Sequence, residues 1–103
     1  MTETDAKQIG QNMYTYLLEE HRRHYAQSEA QEGRMFNYKR ASIHTGIAVA
    51  TLSKYRTGER NPNLIDLRDL ALWLSKNLNR RIVMDDFLTG VKTFKERLNE
   101  RSP

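Results

Sequence analysis

Apolar residues recur along this chain at intervals of three and four, and nowhere do they alternate with polar ones over a β-branched run, so the periodicity predicts helices. A first helix opens near Asp5 with Ile9, Met13, Tyr16 and Leu17 on one stripe and Tyr14, Leu18 and Tyr25 on an adjacent one. The polar stretch Ala26 to Glu32, ending at Gly33, reads as a frayed helix end or linker followed by a turn. Asn37 is placed to cap a short second helix, with Phe36 and Ala41 as a staple across that cap. Gly46 ends this helix, because glycine tolerates the left-handed conformation that terminates helices, and a single turn leads into a third helix from Ala48 to Thr57. Gly58 stops the third helix, and Arg60, Asn61 and Pro62 form a basic loop. Asn63 with Asp66 makes a capping pair that opens a fourth helix, whose stripe is Leu64, Leu67, Leu70, Ala71 and Leu74. A last helical segment starts near Asp85 with Phe87 and Leu88, breaks or bends at Gly90 and continues through Val91, Phe94 and Leu98. That final stripe packs either within the chain or against a symmetry mate. The expected fold class is all-α.

At 103 residues the chain holds one domain, residues 1–103, with a core over about 34–90 and a C-terminal extension over 91–103. Hydrophobic residues make up only 38%, yet the aliphatic and aromatic complement suffices for one compact core. With no Cys there is no disulfide framework, thiolate nucleophile or Cys-based zinc site. The start, Met1 to Lys7, is polar and acidic, and no apolar run approaches the ~18 residues of a membrane span, so neither signal peptide nor membrane anchor is expected. An intracellular, cytoplasmic protein is the simplest reading. The formal charge of +4 is unevenly spread: residues 1–33 sum to −3, residues 34–60 to +5 and residues 61–103 to +2. The stretch from Arg34 to Arg60 therefore carries the one strong field and is expected to dock something anionic.

Two short helices joined at a glycine corner, the second flanked by basic residues, form the geometry that places one helix in the major groove of DNA. With successive residues 100° apart, Ala48, Leu52 and Tyr55 fall on one side of the third helix, and Ala50, Ser53, Lys54 and Thr57 on the other. An ordinary solvent-facing helix tolerates long side chains, so the small, polar and basic second face suggests close approach to a partner. Val49 and Ala50 could touch thymine methyl groups, Ser53 and Thr57 could hydrogen-bond base edges or phosphate, and Lys54 could reach guanine acceptors.

The run from Tyr38 to Pro62, with its Thr45-Gly46-Ile47 corner, Ser42 four places before the glycine, Leu52 and Tyr55 six and nine places after it, and the trailing Gly58-Glu59-Arg60-Asn61-Pro62, resembles the lambda-repressor/Cro type of helix-turn-helix. The resemblance spans roughly Phe36 to Leu88. It implies a compact five-helix DNA-binding bundle, here with an extended first helix, of a kind that is usually a homodimer acting as a transcriptional regulator; with no Gly-rich phosphate loop or nucleophile constellation in the chain, neither cofactor nor catalysis is expected. It further implies that Tyr38, at the start of the second helix, contacts backbone phosphate, and Lys39 and Arg40 beside it belong to the same basic surface. Val49, Ala50, Ser53, Lys54 and Thr57 would face the bases, and Arg60 and Asn61 the flanking phosphates. The chain departs from the family pattern at Tyr38, commonly Gln or Thr, and in the inserted polar stretch Arg22 to Gly33.

Other candidate signals have simpler readings. His21 and His24 stand one turn apart, but two or three ligands fall short of the four that zinc takes, so a solvated basic face is expected. His44 reads as a helix-end or phosphate-facing residue, Asp85 and Asp86 as acids welcomed by a helix N-terminus, and Trp73 as core. The expected activity is sequence-specific binding of a double-stranded operator. The alternative is an antitoxin-type module whose leucine-rich half neutralises a toxin and which binds DNA only to autoregulate.

Overall fold

The computed structural model describes residues 3–26 and 35–91. Among these residues the secondary structure is entirely helical: α1 (Glu3–Tyr25), α2 (Lys39–Thr45), α3 (Val49–Thr57), α4 (Leu64–Leu78) and a 3₁₀ turn, Met84–Leu88. The α1 stripe is as the periodicity predicts, with Ile9, Met13 and Leu17 buried, and Ala6 joins them. α1 packs chiefly on α3 and also touches α4 and the 3₁₀ turn, while α2 rests on α4. Leu67, Leu70, Ala71, Leu74 and Leu78 of α4 close the core from the other side.

The ends of α4 follow their local chemistry. Asn63 accepts the Asp66 N–H at 2.8 Å, as a capping pair should, and Asn79 closes the helix in the left-handed conformation at φ 57°. Arg23, from the last turn of α1, donates to the otherwise orphaned Leu78 carbonyl at 2.7 Å. The chain then turns back, held by the Ser75 hydroxyl, which accepts the Ile82 N–H at 2.8 Å. Phe87 is fully buried and meets Tyr16 edge-on at 5.7 Å, and Asn12 donates to the Phe87 and Thr89 carbonyls at 2.8 and 2.7 Å.

Several expectations require correction. The helical segment expected near Asp85 is present as a 3₁₀ helix beginning at Met84 and ending at Leu88, with Gly90 beyond it at φ 84°; Phe94 and Leu98 lie outside the described residues. Asp86 turns back on that turn, donating its own N–H to Val83 O and accepting the Val83 N–H at 2.8 Å, which favours tight i→i+3 bonding over a longer helix. Leu64 is 72% exposed rather than core, although Leu67 one turn on is buried. Trp73 is only half-buried, and Ala48 is an exposed N-cap. Asn37 does accept the Lys39 N–H at 2.9 Å, although the N-cap position itself falls on Tyr38. His21, expected to be solvated, is buried beneath the rings of Tyr25 and Phe36, at 4.7 and 5.3 Å.

Candidate nucleic-acid interface

Three residues join α2 to α3. Gly46 lies at φ 78° and donates to Ser42 O at 2.9 Å, a left-handed helix terminus that penalises any Cβ on backbone grounds alone. Ile47 is buried, plugging the inside of the corner, and Ala48 extends the chain so that its carbonyl receives the first α3 hydrogen bond, from Leu52 N at 3.0 Å. The corner and its single apolar plug fix the direction in which α3 leaves.

The orientation of α3 about its own axis is set by Leu52 and Tyr55, both buried. The Tyr55 hydroxyl donates to Asp66 Oδ2 at 2.5 Å, tying the middle of α3 to the first turn of α4. Burial, and then the bond to Asp66, push the Tyr55 hydroxyl above its ordinary pKa, so the donor stays protonated. On the other flank α1 meets α3 backbone to backbone: a Cβ on Gly10 would stand 1.9 Å from the Tyr55 carbonyl oxygen, so only glycine permits this approach.

These constraints leave Val49, Ala50, Ser53, Lys54 and Thr57 exposed on α3. The Thr57 hydroxyl donates back to Lys54 O at 3.2 Å, which leaves it an acceptor toward the outside. Lys39 at the start of α2 and Arg60 and Asn61 beyond α3 are exposed as well.

Two of the basic-surface residues are placed otherwise. Arg40 donates from Nη1 to both carboxylate oxygens of Glu20, whose side chain is 3% exposed, and its guanidinium lies 5.9 and 5.7 Å from the Tyr25 and Trp73 rings. It is a structural partner of α1, because Glu20 left alone there would be a buried, uncompensated charge. The Tyr38 hydroxyl is buried too, and burial pushes its pKa up while the nearby Arg56 guanidinium pulls the other way. The Tyr38 ring stands edge-on to Phe36 at 5.0 Å, in a cluster where Phe36 also meets Tyr14 at 5.2 Å.

A second surface adjoins α3 that the sequence reading did not single out. Thr4, Lys7, Gln8 and Gln11 form one stripe of α1, and with Arg56 and Thr57 they line an open groove of about 460 Å³. The Arg56 guanidinium is held 3.8 Å from the centre of the Tyr14 ring. The available signals were a glycine inside an apolar helical stripe, which marks close packing, and polar residues at i, i+3, i+4 and i+7 free of carboxylates.

His44 stacks on Trp73 at 5.9 Å and lines a groove between α2 and α4 with Leu72 and Lys76. Asp86 is occupied at the 3₁₀ turn, while Asp85 is exposed. Among the described residues no group of three His, Cys, Asp or Glu side chains could hold a metal ion, and no helix is long and apolar enough to cross a membrane. No protein-family model matches this chain, and no curated protein or solved structure matches it either.

Proposed function

We propose that the chain is a sequence-specific, double-stranded DNA-binding transcriptional regulator of the lambda-repressor/Cro type, reading the major groove with α3. The observation that carries this reading is the exposed face of α3: Val49, Ala50, Ser53, Lys54 and Thr57 project from a helix whose orientation is fixed on the opposite side by Leu52 and Tyr55. Short side chains allow the helix backbone to approach base edges, and one lysine supplies the reach for guanine N7 and O6. Lys39, Arg60 and Asn61 are the flanking phosphate contacts, in place of Arg40, which is paired with Glu20, and Tyr38, whose hydroxyl is buried. The protein works by occupancy rather than catalysis. It acts in the cytoplasm as a homodimer on an operator with half-sites about 34 Å apart, blocking or recruiting polymerase by its occupancy.

Leu64, Ile65 and Leu72, 72%, 62% and 64% exposed, give α4 an apolar outer face suited to a second copy. The same face favours a second reading, the antitoxin-type module that covers it with a toxin. Selection of bound duplexes from a random pool tests the proposal. A two-fold symmetric motif supports the dimeric regulator; the absence of any enriched motif overturns it and leaves the α4 face as the functional surface.

A further inference from the structure

We propose that the groove between α1 and α3 is a second DNA contact, a seat for backbone phosphates along the edge of the major groove that α3 enters. The inference rests on the DNA reading of α3 and extends it to a helix outside the helix-turn-helix. A helix lying in a groove about 12 Å wide has a phosphate strand along each side. A neighbour of α3 that reaches the rim of its exposed face can meet that strand, and at Arg56 and Thr57 this neighbour is the N-terminal half of α1.

The chemistry of the groove fits a phosphodiester. Its lining is Thr4, Lys7, Gln8, Gln11, Arg56 and Thr57, two cations and four neutral hydrogen-bonding side chains with no carboxylate among them. Asp5, the α1 carboxylate between Thr4 and Lys7, is buried at 8% exposure and is not part of the lining. Thr57 belongs to both the groove and the reading face of α3, so the two surfaces are continuous. The Tyr14 ring supports the Arg56 guanidinium, and the Lys7 stem lies where a Cβ on Gly58 would meet its Cγ at 2.9 Å. Gln8 is fixed by its bond to Asn12 at 3.0 Å, and Asn12 in turn is fixed on the 3₁₀ turn. An arrangement ordered before binding loses less side-chain entropy when the phosphate arrives.

The test measures binding of the full chain to a 30-base-pair duplex carrying the selected motif and to one of random sequence, each across a salt series. Lys7→Met keeps the stem packed by Gly58 and removes the charge. Gln11→Glu sets a carboxylate in the groove without touching that stem. Lys76→Gln, in the groove between α2 and α4, makes the same one-charge change elsewhere. All three are first confirmed to melt as the wild type does. The expected result is that Lys7→Met and Gln11→Glu weaken both duplexes by the same factor, that Lys7→Met flattens the slope of log K against log salt by about 0.9, and that Lys76→Gln does neither. Wild-type affinity and slope in Lys7→Met and Gln11→Glu would overturn the groove while the reading of α3 stands. An equal loss in Lys76→Gln also overturns it, by assigning the effect to net charge. A wild-type chain that binds neither duplex at low salt overturns both readings.

Discussion

At the scale of single residues, two glycines do different work. Around Gly46 nothing lies within 4 Å of where a Cβ would stand, so its replacement meets only the backbone cost of φ 78°. Gly46→Ala should therefore destabilise by about 1 to 2 kcal/mol. At Gly10 the obstacle is the backbone of another helix, 1.9 Å from a Cβ, which cannot move aside like a flexible side chain. Gly10→Ala should cost more, about 3 kcal/mol or above, and displace α3; denaturant unfolding of the pair checks the order. Arg40 offers a sharper contrast. As a phosphate contact alone it could be removed without loss of stability, but here Arg40→Ala strands Glu20, whose side chain is 3% exposed. A loss on the order of 3 kcal/mol is expected, and an unchanged melting curve would refute the structural role.

At the scale of the element, α3 is held from beneath and reads from above. Tyr55→Phe deletes the bond to Asp66 while keeping the buried ring. It should destabilise by about 1.5 to 3 kcal/mol, the range for a hydrogen bond to a charged group, with base preference unchanged among the molecules that remain folded. Lys54 and Arg60 separate base reading from backbone holding. Lys54 is exposed within the helix, whereas Arg60 stands beyond its end, its N–H bonded to Lys54 O at 3.3 Å. Lys54→Ala should lower specific binding by roughly 1 to 3 kcal/mol and relax preference at one operator position per half-site, while Arg60→Ala should weaken all sequences alike and reduce the salt slope by about one. Identical base preferences in wild type and Lys54→Ala at full affinity would remove α3 from the reader's role.

At the scale of the whole molecule, long-range ion pairs tie α1 to the rest of the chain. The hydrogen bond from Arg80 holds the Glu19 carboxyl below its ordinary value of 4.5, with burial opposing it only in part. A carboxyl whose pKa is lowered by folding stabilises the native state above the ordinary value, and the contribution is lost as pH falls through the lowered one. Both partners are nearly half exposed, so the effect is small. The melting temperatures of wild type and Arg80→Gln should differ by a constant amount well above pH 4.5 and converge below it. A gap that persists in acid would assign the effect of the substitution to packing of Arg80 against the Tyr16 ring, 5.8 Å away.

Where α2 and α3 end and where α4 begins was legible in the sequence, because those decisions are made by neighbours along the chain. Asn63 and Asp66 cap one helix within a single turn, Gly46 and Gly58 release two others, and the spacing of Ile9, Met13 and Leu17 marks a buried stripe whatever it packs against. The exposed face of α3 was legible for the same reason, since burying Leu52 and Tyr55 turns Ser53, Lys54 and Thr57 outward. What the sequence could not say is which polar groups meet across the fold. Arg40 and Glu20 are 20 residues apart, Asn12 and Phe87 are 75 apart, and no local pattern pairs them. Only the packing of α1 against α3 and of α2 against α4 decides that Arg40 and His21 turn inward, that Leu64 is left outside, and that Lys7 and Arg56 share a groove. Local hydrogen bonding and side-chain periodicity act within a turn or two, whereas burial belongs to the surface that a distant segment happens to cover.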